Sequence, residues 1–276
     1  EPLKKKIGNL AKISHAHIPY SGGFLMLANL GSAEDGKSAV IPVIIVEEPD
    51  GIKKDVNNQG DGMAILKQRM KSFSDAKLIY AGTPTDLGFS QVNIAYESSN
   101  RMVYMVKCHE CSEFHTLSFD NLKCDIFQDR RIDDLYGKWN PETAYYECPD
   151  CRLPWTFEQK NLNVREAINY FNKGWVVTRP EITDVQGFAY NELLSSFSSS
   201  SFVELAKTKL RAELVYEQGN EGLMKSFVNN SVGEAYQALQ TGVGIEDLKE
   251  KRINYPENIV PFEGLILTAG IDVQHN

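Results

Sequence analysis

The first third of the chain alternates short apolar runs with one amphipathic segment. Residues 23–30 (GFLMLANL) and 39–46 (AVIPVIIV) are apolar or β-branched runs bounded by glycines and acidic residues, a pattern typical of buried strands. Residues 61–73 carry four apolar side chains at helical spacing, and residues 77–81 (KLIYA) return to a strand pattern. The order strand, helix, strand predicts an α/β fold with a mainly parallel sheet.

The C-terminal half of the chain is mainly helical in pattern. Residues 195–201 are serine-rich, which predicts a loop that ends in an N-cap serine before Phe202. Residues 264–272 (GLILTAGID) have the pattern of one more buried strand, which ends at the carboxylate of Asp272. We expect a further domain to begin with this strand. Three segments carry apolar residues at helical spacing, and they cover residues 164–172, 202–216 and 221–229.

The composition fits a globular protein of about two domains. The 276 residues include 29 Lys and Arg against 37 Asp and Glu, a net charge of −8. This balance excludes a protein that coats nucleic acid through bulk positive charge, although a local basic face is compatible with it. The longest apolar run, residues 39–46, is far shorter than the ~20 residues that span a bilayer, so we expect no membrane segment. Because the N-terminus EPLKKKIGNL has neither a Met nor an apolar signal region, we expect a piece of a longer chain.

Four of the five cysteines form two C-x-x-C pairs, which is the strongest chemical signal in the sequence. Four thiolates at this spacing suit tetrahedral zinc, and a closed four-sulfur site leaves no open position for substrate. The pattern therefore predicts a structural zinc ribbon instead of a catalytic metal. The alternatives are four unrelated buried thiols, or a site in which His109 or His115 replaces a cysteine. Cys124 is expected to be an ordinary thiol. The predicted zinc ligands are Cys108, Cys111, Cys148 and Cys151.

Residues 31–38 (GSAEDGKS) match the phosphate-loop pattern G-x-x-x-x-G-K-[ST]. In such loops the lysine opens a helix whose N-terminal amides hold the phosphates. Here the following residues are β-branched and broken by Pro42, which does not predict that helix. Only nine residues separate Lys37 from Glu47, too few for the crossover helix between parallel strands. We therefore interpret residues 31–38 as a polar loop, with a true phosphate loop in a complete small ATPase as the alternative.

Two adjacent carboxylates, Glu47 and Glu48, stand at the end of the predicted strand VIIVEE. In α/β proteins ligands bind at the carboxyl ends of strands, where one acid can hold Mg²⁺ and its neighbour can orient an attacking water. Adjacent carboxylates repel each other unless a metal or a proton intervenes, so Mg²⁺ is a natural partner. The neighbouring strand ends in AGTP, where the hydroxyl of Thr83 is placed to sense a γ-phosphate. A solvated acidic strand end is the structural alternative.

The succession of motifs resembles the large terminase subunit of tailed phages, in its lambda-type, GpA-like branch. The resemblance implies a DNA-packaging motor, in which an N-terminal ATPase pumps DNA into a procapsid and a C-terminal RNase H-like nuclease cuts the concatemer. It extends over nearly the whole chain, and the segments that carry it are VIIVEEPD, QGDGMAILKQRMKSF, YAGTPT, SQVNIAYESSNRMVYMVKCHEC, YYECPDC, KGWVV, GFAYNELLSSF, SFVNNSVGE and LTAGIDVQ.

The resemblance also implies roles for individual residues. Glu47 corresponds to the Mg²⁺-binding acid of the Walker B segment, Glu48 to its catalytic carboxylate, and Thr83 to the hydroxyl of the coupling motif. Asp272 corresponds to the first metal-binding carboxylate of the nuclease, which works with divalent metal ions. The family usually has Asp at the position of Glu47, and the longer side chain shifts the magnesium contact. The implied cofactors are structural Zn²⁺, Mg²⁺ with ATP, and a divalent metal at the nuclease site.

The fold expected from the resemblance is part of a P-loop-type ATPase sheet with a zinc-ribbon insertion, connecting helices and the first strand of an RNase H-like nuclease. The implied partners are double-stranded DNA, the small terminase subunit and the portal of the procapsid, in the cytoplasm of the host bacterium. Because the family's phosphate loop and its other nuclease carboxylates have no counterpart in this sequence, we expect the chain alone to be inactive. The expected domains are residues 1–100 (C-terminal part of the ATPase), 101–160 (zinc ribbon), 161–258 (connecting helices) and 259–276 (start of the nuclease).

A function of a different class is a zinc-ribbon module that docks DNA or a protein partner, with the α/β part as its scaffold. The acids and the hydroxyl that converge on one strand edge distinguish the two hypotheses, because a scaffold does not need them. Basic residues that could follow a phosphate track are equally explained as solvated surface. They lie at residues 4–6, 53–54, 67–71 and 130–131.

Overall fold

The computed structural model describes residues 15–20, 22–28, 40–52 and 62–238. The chain divides into two units, Glu1–Gln237 and Ala238–Asn276, and every element described below lies in the first unit. Several predictions fall outside the described residues. They are the loop over residues 31–38, the strand over residues 264–272 with Asp272, and the lysines at residues 4–6 and 53–54.

A parallel strand pair with one helix forms an α/β layer. β3 (Val43–Glu47) and β4 (Lys77–Ala81) are parallel, and their register places Glu47 opposite Ala81. α1 (Gly62–Met70) connects the two strands and packs on one face of the pair. The predicted order strand, helix, strand is therefore confirmed, and so is the parallel pairing. The buried side chains between the helix and the strands are Val46, Met63 and Leu66.

Only one face of this strand pair is covered. Val46 is buried, whereas Val43, Ile45 and Ile79 are exposed, and Ile45 is 68% exposed. The predicted burial of the strand over residues 39–46 is therefore wrong for Val43 and Ile45. The physical reason is that the described part of this sheet has two strands and a helix on one side.

The first two strands form an antiparallel hairpin, β1 (His15–Tyr20) and β2 (Gly23–Ala28). The strand predicted over residues 23–30 is confirmed, but its predicted burial is wrong, because Leu25 and Leu27 are exposed. Within the described part of the chain β2 pairs with β1 alone, and two strands give little cover for apolar side chains.

A small mixed sheet follows. α2 (Gln91–Glu97) begins at the N-cap Ser90, whose hydroxyl accepts a hydrogen bond from the amide of Asn93 at 3.1 Å. The chain then forms β5 (Met102–Tyr104), which is the central strand of this sheet. Its neighbours are an antiparallel strand, β11 (Trp175–Val177), and a parallel strand, β12 (Phe188–Ala189).

Two hairpins contain the cysteine pairs. β6 (Val106–Lys107) and β7 (Phe114–His115) are antiparallel and enclose the first C-x-x-C. β9 (Trp139–Glu147) lies between β8 (Leu122–Ile126) and β10 (Pro154–Trp155) in an antiparallel sheet. The second C-x-x-C connects β9 to β10. Both pairs therefore lie in tight turns between strands.

The helix after the second cysteine pair, α3 (Phe157–Glu166), begins seven residues before the predicted start at residue 164. Thr156 and Gln159 form a capping box: the Thr156 hydroxyl accepts from the Gln159 amide at 3.2 Å, and the Gln159 side chain accepts from the Thr156 amide at 2.8 Å. Single-turn 3₁₀ segments cover Pro49–Gly51, Phe119–Asn121, Ala167–Asn169, Glu192–Leu194 and Ser198–Ser200.

The predicted C-terminal helices are present. α4 (Phe202–Glu217) begins at Ser201, whose hydroxyl accepts from the Glu204 amide at 3.4 Å, so the predicted serine N-cap is confirmed. α5 (Gly222–Ser226) continues directly as a π-helix over Phe227–Val232. None of the helices in the described ranges has both the length and the apolar character that a membrane span requires.

The cysteine hairpins and the C-terminal helices share one hydrophobic core. α4 packs on β8 and β9, and the ring of Phe227, at the start of the π-helix, meets Phe119 edge to face with ring centres 5.0 Å apart. The ribbon is therefore not an isolated module in this structure. The core residues are Val106, Cys108, Leu117, Phe119, Leu122, Tyr146, Cys148, Trp155, Leu193, Phe202, Leu205, Ala206, Ala212 and Phe227.

Lys160 on α3 is a fully buried cation at the edge of this core. Its ammonium donates to the carbonyl oxygen of Ser195 at 2.5 Å and lies 4.4 Å from the centre of the Phe157 ring. Burial lowers the pKa of Lys160 from 10.5 to about 8. This hydrogen bond connects α3 to the serine-rich loop, but burial of the charged ammonium costs desolvation free energy.

We predict that Lys160 gives the protein a stability that rises with pH. Below about pH 8 both states carry the charge and the folded state bears the full cost of burial, whereas between about 8 and 10.5 the unfolded chain binds more protons. The free energy of unfolding, measured with denaturant, should therefore increase from about pH 7 to about pH 9.5. Lys160→Met should remove this increase, and the exposed Lys138→Met should retain it. Equal slopes in all three proteins would contradict the prediction.

Candidate functional site

The two predicted acids lie where β3 ends. Glu47 is its last residue and is exposed. Glu48 follows with φ 49° and ψ 57°, a left-handed conformation that is unfavourable for a residue other than glycine. Its amide donates to the carbonyl oxygen of Ala81 at 2.8 Å, which extends the β3–β4 pairing by one step. The backbone then turns into the segment that begins at Pro49.

Glu48 contacts the segment that carries Thr83. The amide of Thr83 donates to Oε2 of Glu48 at 3.3 Å, across 35 residues of sequence. Gly82 permits this approach, since a Cβ there would lie 3.1 Å from the Cα of Glu48 and 3.2 Å from its Oε2. The parallel pairing thus brings Glu47, Glu48 and Thr83 to one edge of the sheet. Their roles in catalysis stay predictions.

Asp50 is a residue of this edge that the sequence analysis missed. One of its carboxylate oxygens accepts from the amide of Thr85 at 3.1 Å and from its hydroxyl at 2.7 Å, and the other accepts from the amide of Val92 at 3.1 Å. Burial raises the pKa of Asp50, but hydrogen bonds from Ser90, Thr85 and Val92 outweigh it and lower the pKa overall. Asp50 thus fixes the segment after β4 to the end of β3. Its only sequence signal was the PDG turn.

The four sulfur atoms of the two C-x-x-C pairs form a compact cluster. Cys108 and Cys151 are separated by 3.8 Å between sulfurs, Cys111 and Cys148 by 3.9 Å, and all four sulfurs lie within 4.8 Å of one another. Zn–S bonds of about 2.3 Å in a tetrahedron place the sulfurs about 3.8 Å apart. The spacing of the thiols therefore fits a single zinc ion.

The two cysteine hairpins have the same backbone geometry. The amide of Ser112 donates to the carbonyl oxygen of Cys108 at 3.1 Å, and the amide of Arg152 donates to that of Cys148 at 3.0 Å. Ser112 and Arg152 both have positive φ, 66° and 63°. Burial raises the pKa of the Cys148 thiol to about 12, so at neutral pH this sulfur keeps its proton unless a cation displaces it.

The two histidines lie beside the sulfur cluster, and the potential ligand atoms of His115, Cys148 and Asp150 also lie within 4.8 Å of one another. Nδ1 of His109 is hydrogen-bonded to the side-chain nitrogen of Asn163 at 2.9 Å. His115 stacks on Tyr146, with ring centres 6.0 Å apart, and its Nδ1 is 3.8 Å from a carboxylate oxygen of Asp150. Cys124 is half-buried outside the cluster, and burial raises its pKa to about 11.

The basic clusters in the described ranges lie on two separate elements. Arg130 and Arg131 lie in the connection from β8 to β9, where both are exposed and the Arg131 guanidinium lies 4.2 Å from the centre of the Phe127 ring. Lys67 and Arg69 lie on α1.

The structure defines a mixed α/β protein with an acidic strand edge and a cluster of four cysteines in two hairpin turns. The family model for the ATPase domain of the phage terminase large subunit gpA matches residues 3–175, and that for its endonuclease domain matches residues 185–276. The chain belongs to this family of phage terminase large subunits.

Two curated proteins illustrate the relationship. The terminase large subunit of Enterobacteria phage P21 is 24% identical over 274 residues, which covers 92% of this chain and 39% of that protein. The terminase large subunit of Escherichia phage lambda is 23% identical over 255 residues, 88% of this chain and 38% of that protein. The chain thus spans about two fifths of the length of these relatives. No solved structure matches it.

We predict that Gly82→Ala separates the two strand ends. The added methyl group meets backbone and side-chain atoms of Glu48 and Pro49 at 3.1–3.2 Å, so one segment must move. We expect a loss of about 1 kcal/mol in the free energy of unfolding and faster hydrogen exchange at the Thr83 amide. Gly51→Ala is the matched control, since a Cβ there meets nothing within 4 Å. Identical exchange in the two variants would contradict the prediction.

Proposed function

We propose that the protein is a DNA-packaging terminase large subunit, which couples ATP hydrolysis to movement of double-stranded DNA and cuts the packaged genome. Membership of the gpA family supports this function over that of a ribbon module on a passive scaffold. The observation that carries the ATPase part is the contact between Glu48 and Thr83 at the end of parallel strands.

The strand edge supports a division of labour among three residues. Glu47 holds Mg²⁺ through its exposed carboxylate, and the ion neutralises phosphate charge when it is bound. Glu48 orients the attacking water and accepts its proton. Thr83 contacts the γ-phosphate, so that its segment changes position when the phosphate is lost. The left-handed backbone at Glu48 and its bond to the Thr83 amide hold the acid at this edge.

We also propose that Cys108, Cys111, Cys148 and Cys151 bind structural zinc in a ribbon over residues 101–160. The sulfur distances and the equal geometry of the two hairpins support this assignment. Two of the sulfurs belong to fully buried residues of the main core, so the metal stabilises the packing of α4 as well as the ribbon.

The remaining assignments belong to the same proposal. Residues 1–100 belong to the ATPase part, residues 161–258 connect it to the nuclease, and residues 259–276 begin an RNase H-like nuclease, with Asp272 as a ligand of its divalent metal. The partners are double-stranded DNA, the small terminase subunit and the portal of the procapsid, and the protein acts in the cytoplasm of the host bacterium.

The ATPase proposal is tested with the protein expressed from its complete reading frame. Glu48→Gln removes the carboxylate that accepts the proton, so we expect DNA-stimulated ATP turnover to fall about a hundredfold or more, with nucleotide binding retained. Glu142→Gln, a change at an exposed acid of β9 outside the strand edge, should leave turnover unchanged. Equal turnover by wild type and Glu48→Gln would reject the role of Glu48.

The zinc proposal predicts about one zinc per chain, measured by elemental analysis after purification without added metal. Cys148→Ser should lose the ion and lower the melting temperature, because the ribbon and α4 share one core. Cys124→Ser is the matched control and should keep both the zinc and the melting temperature. Less than one zinc in the wild-type chain, or equal zinc content in the two variants, would exclude the site.

A further inference from the structure

The segment after Thr83 is held from two sides. On one side Asp50 receives three hydrogen bonds, two from Thr85 and one from Val92. On the other side the ammonium of Lys225 on α5 lies 2.7 Å and 2.8 Å from the two carboxylate oxygens of Asp86. The four residues from Thr83 to Asp86 are therefore fixed both to the end of β3 and to a helix 139 residues away.

A backbone bridge reinforces the second attachment. The amide of Tyr236 donates to the carbonyl oxygen of Thr85 at 2.8 Å, and the amide of Leu87 donates to that of Tyr236 at 2.9 Å. These two bonds pair Asp86 with Tyr236 in the manner of parallel strands. Tyr236 is buried, whereas Thr85 and Leu87 are exposed.

These contacts join the two regions that the family models distinguish. Asp50, Thr85 and Asp86 lie within residues 3–175, which match the ATPase domain, whereas Lys225 and Tyr236 lie within residues 185–276, which match the endonuclease domain. Other contacts also connect these regions, among them the pairing of β12 with β5 and the hydrogen bond from Lys160 to Ser195. The route through Asp86 differs from them in its end point. It is the one that ends beside Glu48.

We propose that Asp50, Asp86 and Lys225 are positioning residues that make the placement of the Thr83 segment and that of α5 depend on each other. A nucleotide that orders the Thr83 segment would then also order α5, and by reciprocity a load on α5 would alter nucleotide binding. The link itself rests on the contacts described above. Its use by nucleotide rests on the proposed ATPase function.

The solvent exposure of the Lys225–Asp86 ion pair limits the strength of the proposed coupling. The side chains of Lys225 and Asp86 are 43% and 48% exposed, so solvent screens their attraction and the pair shifts an equilibrium by about two- to fivefold. The coupling can shift the equilibrium that orders α5 by no more than this factor multiplied by the factor that the backbone bridge contributes. Such a modest link suits a connection that must form and break within each cycle.

A double-mutant cycle tests the link without nucleotide. Hydrogen exchange is measured over residues 83–90 and 222–238 in wild type, Asp50→Asn, Lys225→Met and the double variant. Each single change should raise exchange about two- to fivefold in both segments, and the double change should add nothing to the larger single effect. Effects confined to the segment that carries the change, with additivity in the double variant, would overturn the proposal.

Three variants separate the link from a general loss of stability. Lys225→Arg should restore the wild-type exchange, as should the swap Asp86→Lys with Lys225→Asp. Lys207→Met is the matched control: it removes an α4 lysine whose ammonium lies 3.0 Å from Glu142 and 3.1 Å from Glu204, away from the route. If Lys207→Met raises exchange over residues 83–90 as much as Lys225→Met does, the proposal is wrong.

A second measurement adds Mg²⁺ and the nonhydrolysable analogue AMP-PNP to the protein expressed from its complete reading frame. In the wild type, protection should extend from residues 83–90 to residues 222–238, and in Lys225→Met the protection of residues 222–238 should fall about two- to fivefold. Protection of the strand edge alone in the wild type would overturn the coupling. No protection anywhere would reject the proposed ATPase function, while the cycle without nucleotide would still decide whether the link exists.

Discussion

The approach of four sulfur atoms to within 4.8 Å of one another is the constraint on which most of the described structure depends. Cys108 and Cys148 are fully buried, and they pack in the same core as Tyr146 and Trp155. Cys111 is half-buried and Cys151 is exposed, so the cluster lies at the edge of this core. The strands β6 and β7 have only two residues each, and the proposed zinc would stabilise these short hairpins by cross-linking their turns.

The C-terminal helix α4 packs on the strands next to the cysteine cluster. Phe202, Leu205 and Ala206 of α4 complete the core that the cysteine hairpins begin, and Lys209 donates to the carbonyl oxygen of Phe119 at 2.9 Å. The region matched by the ATPase model and the region matched by the endonuclease model thus share buried side chains. The two regions are therefore connected by one hydrophobic core.

The sequence predicted the features that depend on neighbouring residues. The strand over residues 77–81, its parallel pairing with the VIIVE strand, the Ser201 cap and both cysteine turns follow from period, caps and spacing. The start of α3 was missed although Thr156 and Gln159 have the capping-box spacing, because the apolar period there is weak. Burial of the first strands was wrong, since burial depends on which elements cover a strand. Asp50 contacts Thr85 across 35 residues, and Lys225 contacts Asp86 across 139 residues. No pattern among neighbouring residues in the sequence predicts contacts over such distances.

The left-handed backbone conformation at Glu48 lowers the stability of the folded protein. A left-handed conformation costs a residue with a Cβ about 1 kcal/mol relative to glycine, and asparagine adopts it more readily than glutamate. Directed evolution for heat resistance would therefore favour glycine or asparagine at position 48, and each such success would delete the carboxylate. Six other residues with a Cβ in the described part of the chain share this left-handed region, among them Arg101, Arg130 and Lys173, so the turns of this fold carry the same cost repeatedly.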